Sequence, residues 1–162
     1  MITLLRVDDR LIHGQVAVTW TSFLSADTIV VANDRHAKDT FLAMALNLAK
    51  PPGVDLQVLT KEDAIAFCNG AGSSSKKIFI VVESTADALE VSKGVSEVKK
   101  VILGGIRASA GKKRIERQVF LDQADLDNCD EILALDKVVS VQVIPSEREL
   151  SMTEAKKLFE KR

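Results

Sequence analysis

An α/β protein of three layers, with helices on both faces of a central, mainly parallel sheet of six or seven strands, is what this sequence predicts. Three observations lead there. Short β-branched runs recur along the chain, several without polar alternation, as in strands buried on both faces. Segments of helical pattern lie between them. The two kinds alternate, which brings successive strands side by side in parallel through helical crossovers. With 162 residues and 46 % hydrophobic content, the chain suffices for one sizeable core and is short for two, so residues 1–162 are read as a single domain.

The strand-like runs are ITLLRV (2–7), TIVVA (28–32), VDLQVL (54–59), KIFIVV (77–82), KVILGG (100–105) and VSVQVI (139–144). The first helix is expected from about Gln15, because Val16, Trp20, Phe23 and Leu24 fall on one stripe. A second runs from about Asp39 to Lys50 and stops at PPG, where proline removes a backbone donor. EDAIAFCN (62–69) is helical, and GAGSSSKK (70–77) reads as a flexible loop. STAD (84–87) opens a helix that fades before Gly94, and SMTE (151–154) is a Ser-x-x-Glu capping box opening the last one. RIERQVFLD (114–122) adds one strand, and 123–135 reads as a further helix.

Composition excludes several classes of function. Twenty-two basic against twenty-three acidic residues leave a net charge of −1, so no general field draws the chain to nucleic acid or an anionic membrane. Cys68 and Cys129 have neither metal-ligand nor disulfide-framework spacing. The longest aliphatic runs are too short to span a bilayer, and no basic leader with a long apolar run stands at the start. These features fit a cytoplasmic protein.

In parallel α/β sheets ligands sit beyond the carboxyl ends of the strands. The loops expected there are 8–14, NDRH (33–36), ESTAD (83–87) and GGIRASAGKK (104–113). The first is the richest: RVDDRLIHGQV (6–16) holds two carboxylates, two guanidiniums and one of two histidines. An anion at His13 would lie near the backbone N–H groups of Gly14, Gln15 and Val16 at a helix start. Arg10 offers a planar fork for phosphate oxygens, and Asp8 or Asp9 can hold that fork or fix the imidazole tautomer. Asn33, Ser84 and Gly105 form the outer walls. Gly104 and Gly105 either make a tight turn or admit phosphate closely. His36 reads as a surface residue, and Arg107, Lys112, Lys113 and Arg114 as a solvated loop. No metal is required.

Two rivals come from magnesium-dependent aspartyl chemistry. A receiver domain needs an acceptor aspartate at the end of strand three, where Leu59 and Thr60 stand. A phosphohydrolase with an aspartyl nucleophile needs a second acid two residues after the first, where Arg10 stands. A receiver-like or non-catalytic α/β phosphate-binding signalling module remains the competing reading.

RVDDRLIHGQV resembles the active-site signature of the IIB components of the mannose/fructose/sorbose family of the bacterial phosphoenolpyruvate-dependent sugar phosphotransferase system. IVVANDRHAKD (29–39), KPPGV (50–54), GGIRASAGKKRI (104–115) and VIPSE (143–147) follow in family order, so the likeness spans nearly the whole chain. The resemblance implies an α/β fold and a phosphoryl relay. His13 would accept phosphate from a phosphohistidine on a IIA partner and pass it to a sugar brought by membrane IIC and IID subunits. Arg10 matches the family's basic loop residue. The intermediate would be a covalent phosphohistidine, with no other cofactor. The protein would associate peripherally with the membrane permease, with self-association left open. The sugar leans toward N-acetylgalactosamine on overall likeness, among sorbose, fructose and mannose. Other IIB families use a phosphocysteine, but Cys68 lies within a helix away from the strand ends and reads as a small buried hydrophobe.

Overall fold

The computed structural model describes residues 1–162. In chain order the elements are β1 (Ile2–Asp8), α1 (Gly14–Leu24), β2 (Thr28–Ala32), α2 (Asp34–Lys38), α3 (Thr40–Ala49), β3 (Asp55–Leu59), α4 (Lys61–Asn69), β4 (Ile78–Val82), α5 (Thr85–Gly94), β5 (Lys100–Gly105), β6 (Lys113–Glu116), β7 (Val119–Leu121), α6 (Gln123–Leu133), β8 (Val138–Val141), β9 (Leu150–Ser151) and α7 (Met152–Lys161). Seven strands form one sheet in the order β3-β2-β4-β1-β5-β8-β9, parallel throughout except for β9 against β8. The expected three-layer architecture is what the chain adopts.

Strand alternation sorts the core into two layers. On one face Leu5, Val7, Ile78, Ile80, Val82, Val101 and Leu103 pack against α4, α5, α6 and α7 through residues such as Ala64, Ala88, Leu126 and Ala155. On the other, Leu4, Ile29, Val31, Phe79, Val81 and Ile102 meet Ala17 and Trp20 of α1 and Leu46 of α3. β1 and β4 lie at the centre with both faces covered, which accounts for their apolar composition.

Side-chain caps set the helix starts. Asp39, Ser84, Asp122 and Ser151 each accept a hydrogen bond from a backbone N–H three residues on, and the last two complete capping boxes. Four segments differ from the sequence reading. NDRH opens the short helix α2, with Asn33 as its cap. The Gly/Ser stretch makes a 3₁₀ turn over Ala71–Ser75, tied down by Ser73 Oγ donating to Cys68 O at 2.8 Å. Segment 114–122 folds as the hairpin β6–β7, reversing at Arg117 and Gln118, instead of one strand. Residues 142–144 lie beyond β8, which ends at Val141, and the carbonyls of Gln142 and Val143 are taken by Arg6 and Trp20.

Candidate active site

The carboxyl end of β1 is where polar groups converge. Leu4, Arg6 and Asp8 alternate onto the α1 face of the sheet, so Arg6 and Asp8 are placed side by side on a layer that is otherwise apolar. Both are nearly closed to solvent, at 3 % and 1 % exposure. Arg6 Nη2 donates to Asp8 Oδ2 at 3.2 Å, and Arg6 Nη1 to Gln142 O at 3.3 Å. The guanidinium also lies 5.3 Å from the ring centre of Trp20, whose Nε1 donates to Val143 O at 2.9 Å. Burial lowers the Arg6 pKa, and the charge and hydrogen bond of Asp8 oppose that shift.

The two glycines ending β5 make room for this pair. A Cβ on Gly104 would stand 1.9 Å from Arg6 Nη1, and one on Gly105 would stand 2.8 Å from Asp8 Oδ1. The register between β1 and β5 shifts between Val7 and Asp8, which brings Asp8 opposite Gly105. The glycines are therefore seats for protein side chains, and Gly105 also lines the cleft beside Asp8 and accepts from the backbone N–H of Asp9 at 2.8 Å.

Asp8 in turn organises the β1–α1 loop. Its Oδ1 accepts from the backbone N–H of Arg10 at 3.0 Å, and its Oδ2 lies 3.0 Å from Nε2 of His13. A carboxylate only accepts, so Nε2 is the donor, and in the neutral ring Nδ1 carries the lone pair. The His13 side chain is 26 % exposed. Two positive-φ residues shape the loop around it, Leu11 at 60° and Gly14 at 48°. His13 is the N-cap of α1, so Gly14, Gln15 and Val16 form the first turn as expected, one residue earlier than the apolar stripe indicates.

Beside Asp8 opens a cleft of about 240 Å³, lined on one side by Asp9 and Arg10 and on the other by Arg107, Arg117 and Phe120. Asp9 is committed to the opposite wall. Its Oδ2 accepts from Arg107 N at 2.8 Å and its Oδ1 lies 3.3 Å from Arg107 Nε. Arg117, at the hairpin turn, pairs with Glu147. Arg10 is exposed and forms no ion pair. The hairpin reaches the cleft because Ile106 exchanges backbone bonds with it, Ile106 N to Gln118 O and Phe120 N to Ile106 O, both at 2.9 Å.

Asn33 lies outside this group, and Ser84 meets it across a neighbouring cleft of about 480 Å³ that Ser84 lines with Asp9 and Arg107. Asn33 is buried under α2, its carbonyl oxygen taken by the backbone N–H of His36 and facing His36 Nδ1 at 2.9 Å. Ser84 is occupied as the cap of α5, accepting from Asp87 N at 3.1 Å. Both do local structural work, and neither is bonded to the β1–α1 loop. The residue that the sequence reading passes over is Arg6, present there only as one of the two guanidiniums of RVDDRLIHGQV. Its signal is an arginine inside an apolar run with an acid two residues on, the spacing that puts both on one strand face.

Comparison with known proteins now bears on this arrangement. A family model described as "PTS system sorbose subfamily IIB component" matches residues 2–162. The chain belongs to that family. A probable phosphotransferase enzyme IIB component of Streptococcus pyogenes is 35 % identical over 160 residues, covering 95 % of this chain and 98 % of that one. The crystal structure of the IIBSor domain of the sorbose permease from Klebsiella pneumoniae superposes with a TM-score of 0.90 at 28 % identity, covering 97 % and 96 % of the two chains. That of the N-acetylgalactosamine-specific IIB component 1 from Escherichia coli gives 0.86 at 31 % identity, covering 93 % and 99 %.

The chain is thus a IIB phosphotransferase of the sugar phosphotransferase system, a component that works with a IIA protein, membrane IIC and IID subunits and a sugar. No helix is long and apolar enough to cross a membrane. One expectation is corrected. The relay through a covalent phosphohistidine at His13 is not carried forward, because family membership establishes the component and its reaction class without placing a phosphoryl–nitrogen bond on this ring. As for the thiols, Cys68 and Cys129 are 1 % and 0 % exposed, and burial pushes them up to about 11 and about 12. Neither lines the cleft beside Asp8.

Proposed function

We propose that the β1–α1 loop and the cleft beside it are where this IIB component handles the phosphoryl group, with His13 and Arg10 as its catalytic residues. The observation that carries the reading is the bond between buried Asp8 and His13 Nε2, which turns an ordinary loop histidine into an oriented imidazole whose neutral form leaves Nδ1 bare. Arg10 follows on the same loop, its backbone fixed by Asp8 and its guanidinium unpaired at the cleft. The N–H groups of Gly14, Gln15 and Val16 at the start of α1 add hydrogen-bond donors for a dianion. Asp9 has a supporting part, holding the 106–108 loop against the β1–α1 loop through Arg107. Phosphoryl transfer through a loose, charge-spread transition state needs mainly this kind of positioning and preset donors.

The test is phosphoryl transfer from phosphoenolpyruvate through the upstream carriers and IIA to sugar, in membranes holding IIC and IID. H13Q is expected to lower transfer by about a hundredfold or more, with R10Q also impaired and C68S and C129S unaffected. Acid and base stability of the phosphorylated chain, with peptide mapping, identifies the residue that carries the group. Full transfer by a folded H13Q protein overturns the reading.

A further inference from the structure

We propose that Arg6 is a positioning residue that acts through Asp8 to keep the proton of His13 on Nε2 and leave Nδ1 bare. The proposal rests on the reading of His13 as catalytic. The fold makes deliberate room for this guanidinium: a glycine at 104 where any side chain would collide with it, the Trp20 ring on one side, and the Gln142 carbonyl at one end. An arginine is a costly group to bury, and this one is spent on a single carboxylate.

The charges around Asp8 show what that does. Asp9 is turned away to Arg107, and Arg10 reaches Asp8 only through its backbone N–H. Gly105 from β5 brings no charge. Arg6 is therefore the one fixed cation bonded to Asp8, and His13 is the carboxylate's other side-chain partner. With Arg6 present the Asp8 charge is compensated, and the Asp8–His13 pair holds one proton, on Nε2. Without it, a buried carboxylate would face only a neutral imidazole, a state that burial strongly disfavours. The pair would bind a second proton. Whether that proton enters the ring to make an imidazolium, or sits on Asp8 while the carboxyl donates to Nε2, the result at Nδ1 is the same: it becomes N–H and its lone pair is lost.

The experiment is long-range ¹H–¹⁵N spectroscopy of ring-labelled histidine at neutral pH, in wild type, R6M and R6Q, with folding checked by circular dichroism. Wild type is expected to show a bare Nδ1 and a protonated Nε2. R6M and R6Q are expected to lose the bare-nitrogen signal, with kcat falling and KM for IIA unchanged; R6Q retains one donor and guards against failure of R6M to fold. A bare Nδ1 in folded R6M or R6Q overturns the proposal. The spectra read the ring directly, so they stand apart from the H13Q transfer assay, which tests the catalytic reading itself.

Discussion

Replacing Gly104 by alanine perturbs the active site without substituting any residue that bears charge. The new methyl carbon would start 1.9 Å from Arg6 Nη1, 2.0 Å from Cζ and 2.4 Å from Nη2, so the guanidinium must retreat by more than an ångström. Its room for retreat is limited by Trp20 and by the carbonyl of Gln142, and the movement breaks the 3.2 Å contact with Asp8. Asp8 is 1 % exposed, so the loss is that of one partner from a buried pair, about 3–5 kcal/mol. For a chain of this size each kcal/mol lowers Tm by about 2–4 °C, giving a fall of about 6–20 °C. Urea denaturation with an unchanged slope measures the cost directly. In an Arg6→Met background the collision is relieved, and Gly104→Ala should then cost no more than about 1 kcal/mol further. The reasoning fails if G104A alone costs less than that, or if the two substitutions simply add.

Two further expectations concern titratable groups. With their thiols pushed up to about 11 and about 12, Cys68 and Cys129 expose almost no thiolate at pH 8. The native chain should consume no Ellman's reagent within minutes and two equivalents in urea, and iodoacetamide should leave phosphoryl transfer intact; rapid inactivation by the alkylating agent would refute this. His36 has its pKa lowered, first by burial and then by Arg35, so the unfolded chain binds its proton more readily than the folded one. Its contribution is constant above the ordinary histidine value of about 6.5 and is lost as pH falls from there toward the lowered folded value. Denaturation midpoints of wild type and H36Q should diverge in that window, and parallel curves would count against the assignment.

Much of this was legible from residues alone. Central strands announce themselves because burial on both faces leaves no polar alternation, and β1, β2, β4 and β5 fall within two residues of the runs that predict them. Caps at Ser84 and Ser151 were equally plain. What escaped depends on contacts distant in sequence. The reversal at Arg117 and Gln118 carries neither glycine nor asparagine, so nothing local marks β6–β7 as a hairpin. Val143 and Ile144 look like a continuing strand, yet Gln142 and Val143 are recruited by side chains more than a hundred residues upstream. Asn33 and Ser84 sit at strand ends, where ligands are sought, but capping has already claimed their oxygens. The two glycines of β5 were noticed for approach to phosphate; their neighbours are Arg6 and Asp8. Within the loop itself, the placement of His13 against one of the two acids agrees with the reading that an aspartate fixes the tautomer.

Trp20 is the chain's single tryptophan, and there is no tyrosine. Its indole lies against Arg6, is bonded to the carbonyl of Val143, and meets Phe23 edge-on at 5.9 Å. The molecule thus carries a native fluorophore one side chain removed from the carboxylate that steers the imidazole. Emission excited at the red edge comes from this one ring, so stopped-flow intensity can follow events around Arg6 in the unlabelled protein as its partner arrives and departs.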